Sequence, residues 1–200
     1  MITRSVRAHH SFQFLTRTSI AATVALLAVA CGGDEEGDGD GAADAGGIPG
    51  ECFPGGVPDG ATEEGSVEIG TGEDQMQILE PEQELVLIHG LQGLFHFEIR
   101  TRIYGLDGGE IGDTDPDNLP ATLVTAYDAE GVRLDGNSCG FRTAYEPGEE
   151  YSELPYIRPL VFGLASRPAD GDRVRIVAEV YDQSDRYATS EVWVTTLDQE

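Results

Sequence analysis

The chain contains no lysine: all twelve of its basic side chains are arginines, set against 37 aspartates and glutamates. Without lysine there can be no Schiff-base nucleophile and no Walker-type phosphate loop, and the glycine fingerprint of dinucleotide-binding folds is missing too. A formal charge of −25 leaves too few clustered cations for phosphate backbones or anionic lipid headgroups, so nucleic acid is not an expected partner. Divalent cations and basic partners stay compatible with it, as does simple solubility of a surface protein. No apolar run is long enough to span a bilayer as a helix. The longest, Ile20 to Ala30, is eleven residues, which rise about 16 Å against a hydrocarbon core of about 30 Å. No segment keeps a helical period and no internal repeat is evident.

What that short run does form is a signal. Arg4, Arg7 and Arg17 precede it without any acid, and the small residue Ala30 stands just before Cys31. The segment Leu27-Ala28-Val29-Ala30-Cys31 resembles the site of lipoproteins processed by signal peptidase II, with Ala28 where leucine is more usual. That resemblance implies cleavage after residue 30, a diacylglycerol thioether on Cys31 and a third acyl chain on its freed amine. Several chains at about 0.8 kcal/mol per buried methylene anchor a protein stably, whereas one is marginal. Gly32 directly after the anchor favours outer-membrane sorting, by analogy with enterobacteria. The expected location is the envelope of a Gram-negative bacterium, at the outer membrane or cell surface.

Residues 31–61 read as the lipidated cysteine and a disordered tether. From Gly32 to Gly50, eight residues are Gly and six are Asp or Glu, too little apolar surface to offset chain entropy. A Gly-rich coil of that length spans about 24 Å on average, enough to hold a domain clear of lipid. Asp34, Glu36, Asp38 and Gly39 imitate half a calcium loop, but Ala45 occupies the position of the bidentate Glu. With Cys31 acylated, Cys52 and Cys139 are left as a pair in an oxidising compartment, and a disulfide between them is expected. Closing so long a loop is worth about 4–5 kcal/mol in the chain-entropy model.

Residues 62–200 read as one domain of short strands separated by Gly, Pro and Asp turns. The expected strands are Ser66–Ile69, Glu84–His89, Leu94–Tyr104, Ala121–Asp128, Gly131–Leu134, Phe141–Tyr145, Ile157–Leu164, Arg173–Tyr181 and Thr189–Leu197. Val174, Ile176, Ala178 and Val180 alternate with polar neighbours, and Val192, Val194 and Thr196 repeat the pattern, so the last two strands form a hairpin. Trp193 falls opposite the valine face. The fold class expected is all-β, an antiparallel two-sheet sandwich, immunoglobulin-like in the broad sense.

The densest local constellation is His89-Gly90-Leu91-Gln92-Gly93-Leu94-Phe95-His96. If Gly90 to Gly93 form the turn, His89 faces Leu94, Leu87 faces His96, and Val86, Ile88, Phe95 and Phe97 make the core face. His89 and His96 would then be diagonal neighbours on the other face, within reach of a shared metal ion. The alternative is a solvated sheet face with Glu98, Arg100 and Arg102. This segment, with Phe97–Leu106 and the later Val180-Tyr181-Asp182, resembles predicted lipoproteins of myxobacterial type, which carry a His-Gly-x-Gln-Gly-x-x-His stretch before a long strand. The resemblance implies an envelope lipoprotein and carries no assigned activity.

Two further patterns bear on chemistry. Gly136-Asn137-Ser138-Cys139-Gly140 matches a nucleophile elbow, but no histidine follows Ser138 and no helix is expected after Gly140. Asp113, Asp115 and Asp117 in the Asp107–Asn118 loop place oxygen ligands at calcium-like spacing, although Asn118 stands where an EF-hand has glycine. No cofactor is expected, with calcium the one ion for which a ligand pattern exists, and no enzymatic activity is expected. The leading expectation is a lipid-anchored binding or structural module of the envelope, attached to the membrane through lipid and facing a protein or glycan at the cell surface. The alternatives are a calcium-dependent adhesin or glycan-binding domain using Asp113, Asp115 and Asp117, and a metal-dependent enzyme centred on His89 and His96.

Overall fold

The computed structural model describes residues 53–90, 93–136 and 139–198. The signal, Cys31, Cys52 and the acidic tether lie outside them. Among the described residues there are twelve strands: β1 (Thr62–Glu63), β2 (Ser66–Thr71), β3 (Gln77–Ile78), β4 (Gln83–His89), β5 (Phe95–Tyr104), β6 (Ala121–Tyr127), β7 (Phe141–Arg142), β8 (Glu146–Pro147), β9 (Ser152–Glu153), β10 (Arg158–Phe162), β11 (Arg173–Tyr181) and β12 (Arg186–Asp198). A single 3₁₀ turn, Pro116–Asn118, precedes β6. The all-β expectation holds.

The β11–β12 hairpin forms as the alternation predicts. Val174 pairs with Val194, Ile176 with Val192 and Val180 with Ala188, and these side chains are buried in the core with Ala178. β6 continues the sheet along the free edge of β11. The other edge of β12 is shared: β1 pairs with its start, Thr62 opposite Arg186, and β4 with its end, Val194 opposite Gln83, and both pairings are parallel. The expected purely antiparallel arrangement is therefore corrected to a mixed sheet. The reason is strand switching. β1 passes through Gly65 into β2, β4 turns into β5, and each leaves β12 to pair antiparallel with β5.

The expected pair of separate sheets is corrected as well, to one curled sheet. β5 pairs with β4, β4 with β12, β12 with β11, and β11 with β6. Two bridges, Tyr127↔Arg133 and Asp135↔Phe162, then carry the pairing to β10, which returns to β5. Asp135 holds this closure: its carboxylate is buried, accepts the Ala126 N–H at 2.8 Å and pairs with Arg133 at 3.0 Å. The expected strand at 131–134 is thus reduced to a bridging segment. The expected strand at 141–145 is shortened to β7.

The ring encloses Leu85, Leu87, Phe95, Phe97, Ile99, Leu160, Phe162 and the inward side chains of β11 and β12. Tyr145 is fully buried among them, and its hydroxyl is 2.8 Å from the hydroxyls of both Thr101 and Thr122. A second cluster lies outside the sheet, where Phe53 covers Ala121, Leu123 and Tyr187. Gly56 N–H and the Tyr187 hydroxyl both bond Glu179 at 2.7 Å there. The folded domain accordingly starts upstream of residue 62, and the 53–61 segment belongs to it rather than to the tether.

Candidate functional site

The β4–β5 turn is one residue longer than the sequence suggests. Gly90 N–H donates to the Leu94 carbonyl at 2.8 Å and Gly93 N–H to Gly90 at 3.0 Å, with Gly93 at φ +73°, a conformation that favours glycine. His89 therefore faces Phe95 and Ile88 faces His96. A one-residue slip exchanges the faces of a strand. Leu85 and Leu87 enter the core with Phe95 and Phe97, whereas Val86 is 39% exposed. The expected core assignment of Val86 and Ile88 is corrected by this register. So is the shared histidine site, because His89 and His96 stand on opposite faces.

His89 has a different partner. Its Nε2 lies 2.7 Å from Oδ1 of Asp198, at the end of β12, and its ring meets Phe95 edge-on at 4.8 Å. Arg167 sits 3.6 Å from the other Asp198 oxygen and 4.5 Å over the Phe95 ring. Asp198 N–H in turn donates to Asp170 at 3.0 Å. Arg167 also lines a cleft of about 320 Å³ with Asp128, Glu130, Leu134 and Asp172. Asp198 and Arg167 carried no sequence signal, since the chain distances that bring them to His89 are set by the ring of strands.

Three carboxylates of the Asp107–Asn118 loop, those of Asp107, Asp113 and Asp115, accept bonds from within the loop. Asp113 accepts the Asp115 N–H at 2.8 Å and the Asn118 amide at 3.0 Å, and these bonds hold its carboxyl below the usual carboxylate range. Asp115 caps the 3₁₀ turn by accepting the Asp117 N–H at 3.1 Å. Asp107 accepts Gly109 N–H, and its own N–H donates to the buried Asp182 at 2.7 Å. Asp113, Asp115 and Asp117 thus share one loop. Among the described residues, however, no three His, Cys, Asp or Glu side chains are grouped as a metal ion requires.

The face of β5 that carries Arg100 and Arg102 is covered rather than solvated. Glu153 on β9 bridges both guanidiniums, at 2.7 Å to Arg100 and 2.9 Å to Arg102. Tyr151 stacks on Arg102 at 4.0 Å, and Tyr104 donates to Glu68 at 2.9 Å. Arg100 is buried, bonding the carbonyls of Leu154 and Glu73 as well. Glu153 was invisible in the sequence because its strand is two residues long and is defined by its pairing with β5 and β8.

Ser138 of the elbow-like motif lies outside the described residues. Gly140 leads into strand β7, paired to β6, and not into the helix an elbow needs. Cys139 is disulfide-bonded; Cys52 lies outside the described residues. No helix among the described residues is long and apolar enough to cross a membrane.

Fold and site together define a curled, mixed all-β domain in which several polar clusters pair Arg with Asp or Glu. No protein-family model matches the chain and no curated protein matches it.

Proposed function

We propose that this protein is a lipid-anchored module of the bacterial cell envelope, tethered through Cys31 and acting by binding rather than by catalysis. The observation that carries the proposal is the sequence Ile20 to Cys31, an apolar run too short to span a membrane, ending at a cysteine and followed by a Gly-rich acidic tether. The chain enters the domain at Phe53 and β1, beside the β11–β12 turn, whereas His89, Phe95, Arg167 and Asp198 lie at the other end of those strands. The metal-dependent alternative loses its shared histidine site, because His89 and His96 stand on opposite faces.

A disulfide between Cys52 and Cys139 belongs to the same reading. Phe53 and Gly140, the residues after each cysteine, form an antiparallel bridge with Gly140 N–H on the Phe53 carbonyl at 2.7 Å. Such a link would fasten the tether to β6 and β7. The anchoring is tested by fractionating Gram-negative cells that express the wild-type chain or Cys31→Ser. The wild type should sediment with membranes and partition into detergent, and Cys31→Ser should be lost from that fraction. Equal partitioning of both would refute the anchor.

A further inference from the structure

The outer face of the β6–β11–β12 sheet carries a row of half-buried aromatic and arginine side chains that lies outside the apolar core. Tyr127, Arg175 and Trp193 are directly registered on three adjacent strands, Arg175 opposite Tyr127 on one side and opposite Trp193 on the other. Arg175 lies 4.9 Å from the Tyr127 ring centre and Arg173 lies 4.8 Å from that of Trp193. Each arginine has its own carboxylate: Glu191 bonds Arg175 at 3.1 Å, and Glu82 bonds Arg173 through both oxygens. Both rings are half-buried. Phe53 and Gly56 cover the tether end of the same face, over Leu123 and Glu179, and stop short of this row.

From this arrangement we infer that the Tyr127–Arg175–Trp193 row is a binding platform for a neutral, extended glycan chain. The two rings are two strand spacings apart, about 10 Å, a length that two linked hexose rings cover. Cation–π contacts fix the ring orientations in advance, which lowers the ordering cost of binding. The Arg–Glu pairs offer donors and acceptors side by side for vicinal hydroxyls. They also cancel each other's charge, so in a chain of formal charge −25 this row gives a polyhydroxyl ligand hydrogen bonds without selecting for an ion. A charged ligand would have to break one of these ion pairs, whereas a polyhydroxyl chain leaves both intact. The site needs no metal, and does not involve Asp113, Asp115 or Asp117.

A glycan is thereby named as the partner class of the envelope module proposed above, and the inference depends on that reading only for location. The test uses the full-length protein in detergent with cellohexaose, chitohexaose and xylohexaose as probes. Trp193 is the only tryptophan of the chain, so its emission reports the site in the wild type. At least one hexasaccharide should bind, shift that emission and protect it from quenching, equally with and without EDTA. Trp193→Ala and Tyr127→Ala should each weaken binding about tenfold; if either fails to fold, Trp193→Phe and Tyr127→Leu replace them. Absence of binding at millimolar hexasaccharide, binding that leaves the wild-type Trp193 emission unchanged, or full affinity in both variants by calorimetry would overturn the inference. So would binding of a proline-rich peptide at this row in place of all three sugars. An acylated Cys31 combined with no glycan binding would remove this inference and leave the anchored module standing.

Discussion

Replacing Asp182 should cost more stability than any surface carboxylate of this acidic chain. Its side chain is fully buried at the β11–β12 turn, where Oδ1 accepts the N–H groups of Ser184 and Arg186 at 2.9 and 3.0 Å. Oδ2 accepts the Asp107 N–H and pairs with Arg186, both at 2.7 Å. Arg186 also reaches the Gly105 carbonyl at 2.6 Å, so this one carboxylate joins the hairpin to the loop after β5. Beside it, Thr62 N–H bonds Asp185, which is where the tether-side segment joins the sheet. Asp182→Ala strands a guanidinium and three N–H donors. Breaking one side of a buried pair costs about 3–5 kcal/mol, a large share of the roughly 5–15 kcal/mol that holds a domain together. The midpoint of thermal unfolding should fall by about 10–15 °C. Asp182→Asn keeps the shape but turns one acceptor into a donor facing Asp107 N–H and Arg186, and should lose most of the same amount. Urea unfolding followed by Trp193 emission reads the difference, with Asp107→Ala as a control that removes no group from the clamp, because Asp107 contributes its backbone. A loss below about 1 kcal/mol for Asp182→Ala, at unchanged denaturant slope, would refute the reasoning.

Other predictions rest on separate parts of the fold. Burial pushes the Tyr145 hydroxyl up to about 12, against the pull of its bonds to Thr101 and Thr122. Its contribution to stability is therefore complete below the unfolded value near 10, and is lost as pH rises from about 10 through 12; tyrosinate absorbance should show this phenol ionising with unfolding. Glu153→Ala leaves Arg100 buried without its carboxylate and should cost about 3 kcal/mol, measured by urea unfolding, whereas Glu150→Ala on the exposed hairpin should be neutral. Phe53→Ala should cost about 3 kcal/mol in the same assay, showing that the domain begins before residue 62. Zinc should shift the melting temperature of wild type no more than that of a His89→Ala, His96→Ala variant, since the two rings occupy opposite faces and share no ion.

The hairpin at the end of the chain was legible, because β11 alternates strictly with one apolar face and β12 repeats the alternation through Val192, Val194 and Thr196. β4 was legible as a strand but not in register. Leu85, Val86, Leu87 and Ile88 are all apolar, so alternation could not choose a face, and only the Gly90–Leu94 bond decides it. The ring was hidden for a different reason. β1 and β4 meet β12 in parallel, and the 133–135 segment closes the sheet by isolated bridges, arrangements that depend on tertiary partners and leave no local period. β3, β8 and β9 are two residues each, below the length at which a pattern exists. Trp193 was placed correctly opposite the valines, but its row with Arg175 and Tyr127 needed the pairing of three strands. The loop acids were visible as a cluster, and their internal turn bonds were not.

The most direct test of the anchored-module account is the intact mass of the full-length protein recovered from a Gram-negative envelope. The account predicts a chain beginning at Cys31, heavier than residues 31–200 by a diacylglycerol and an amide-linked acyl chain. A mature chain without acyl addition, or one retaining residues 1–30, would contradict it.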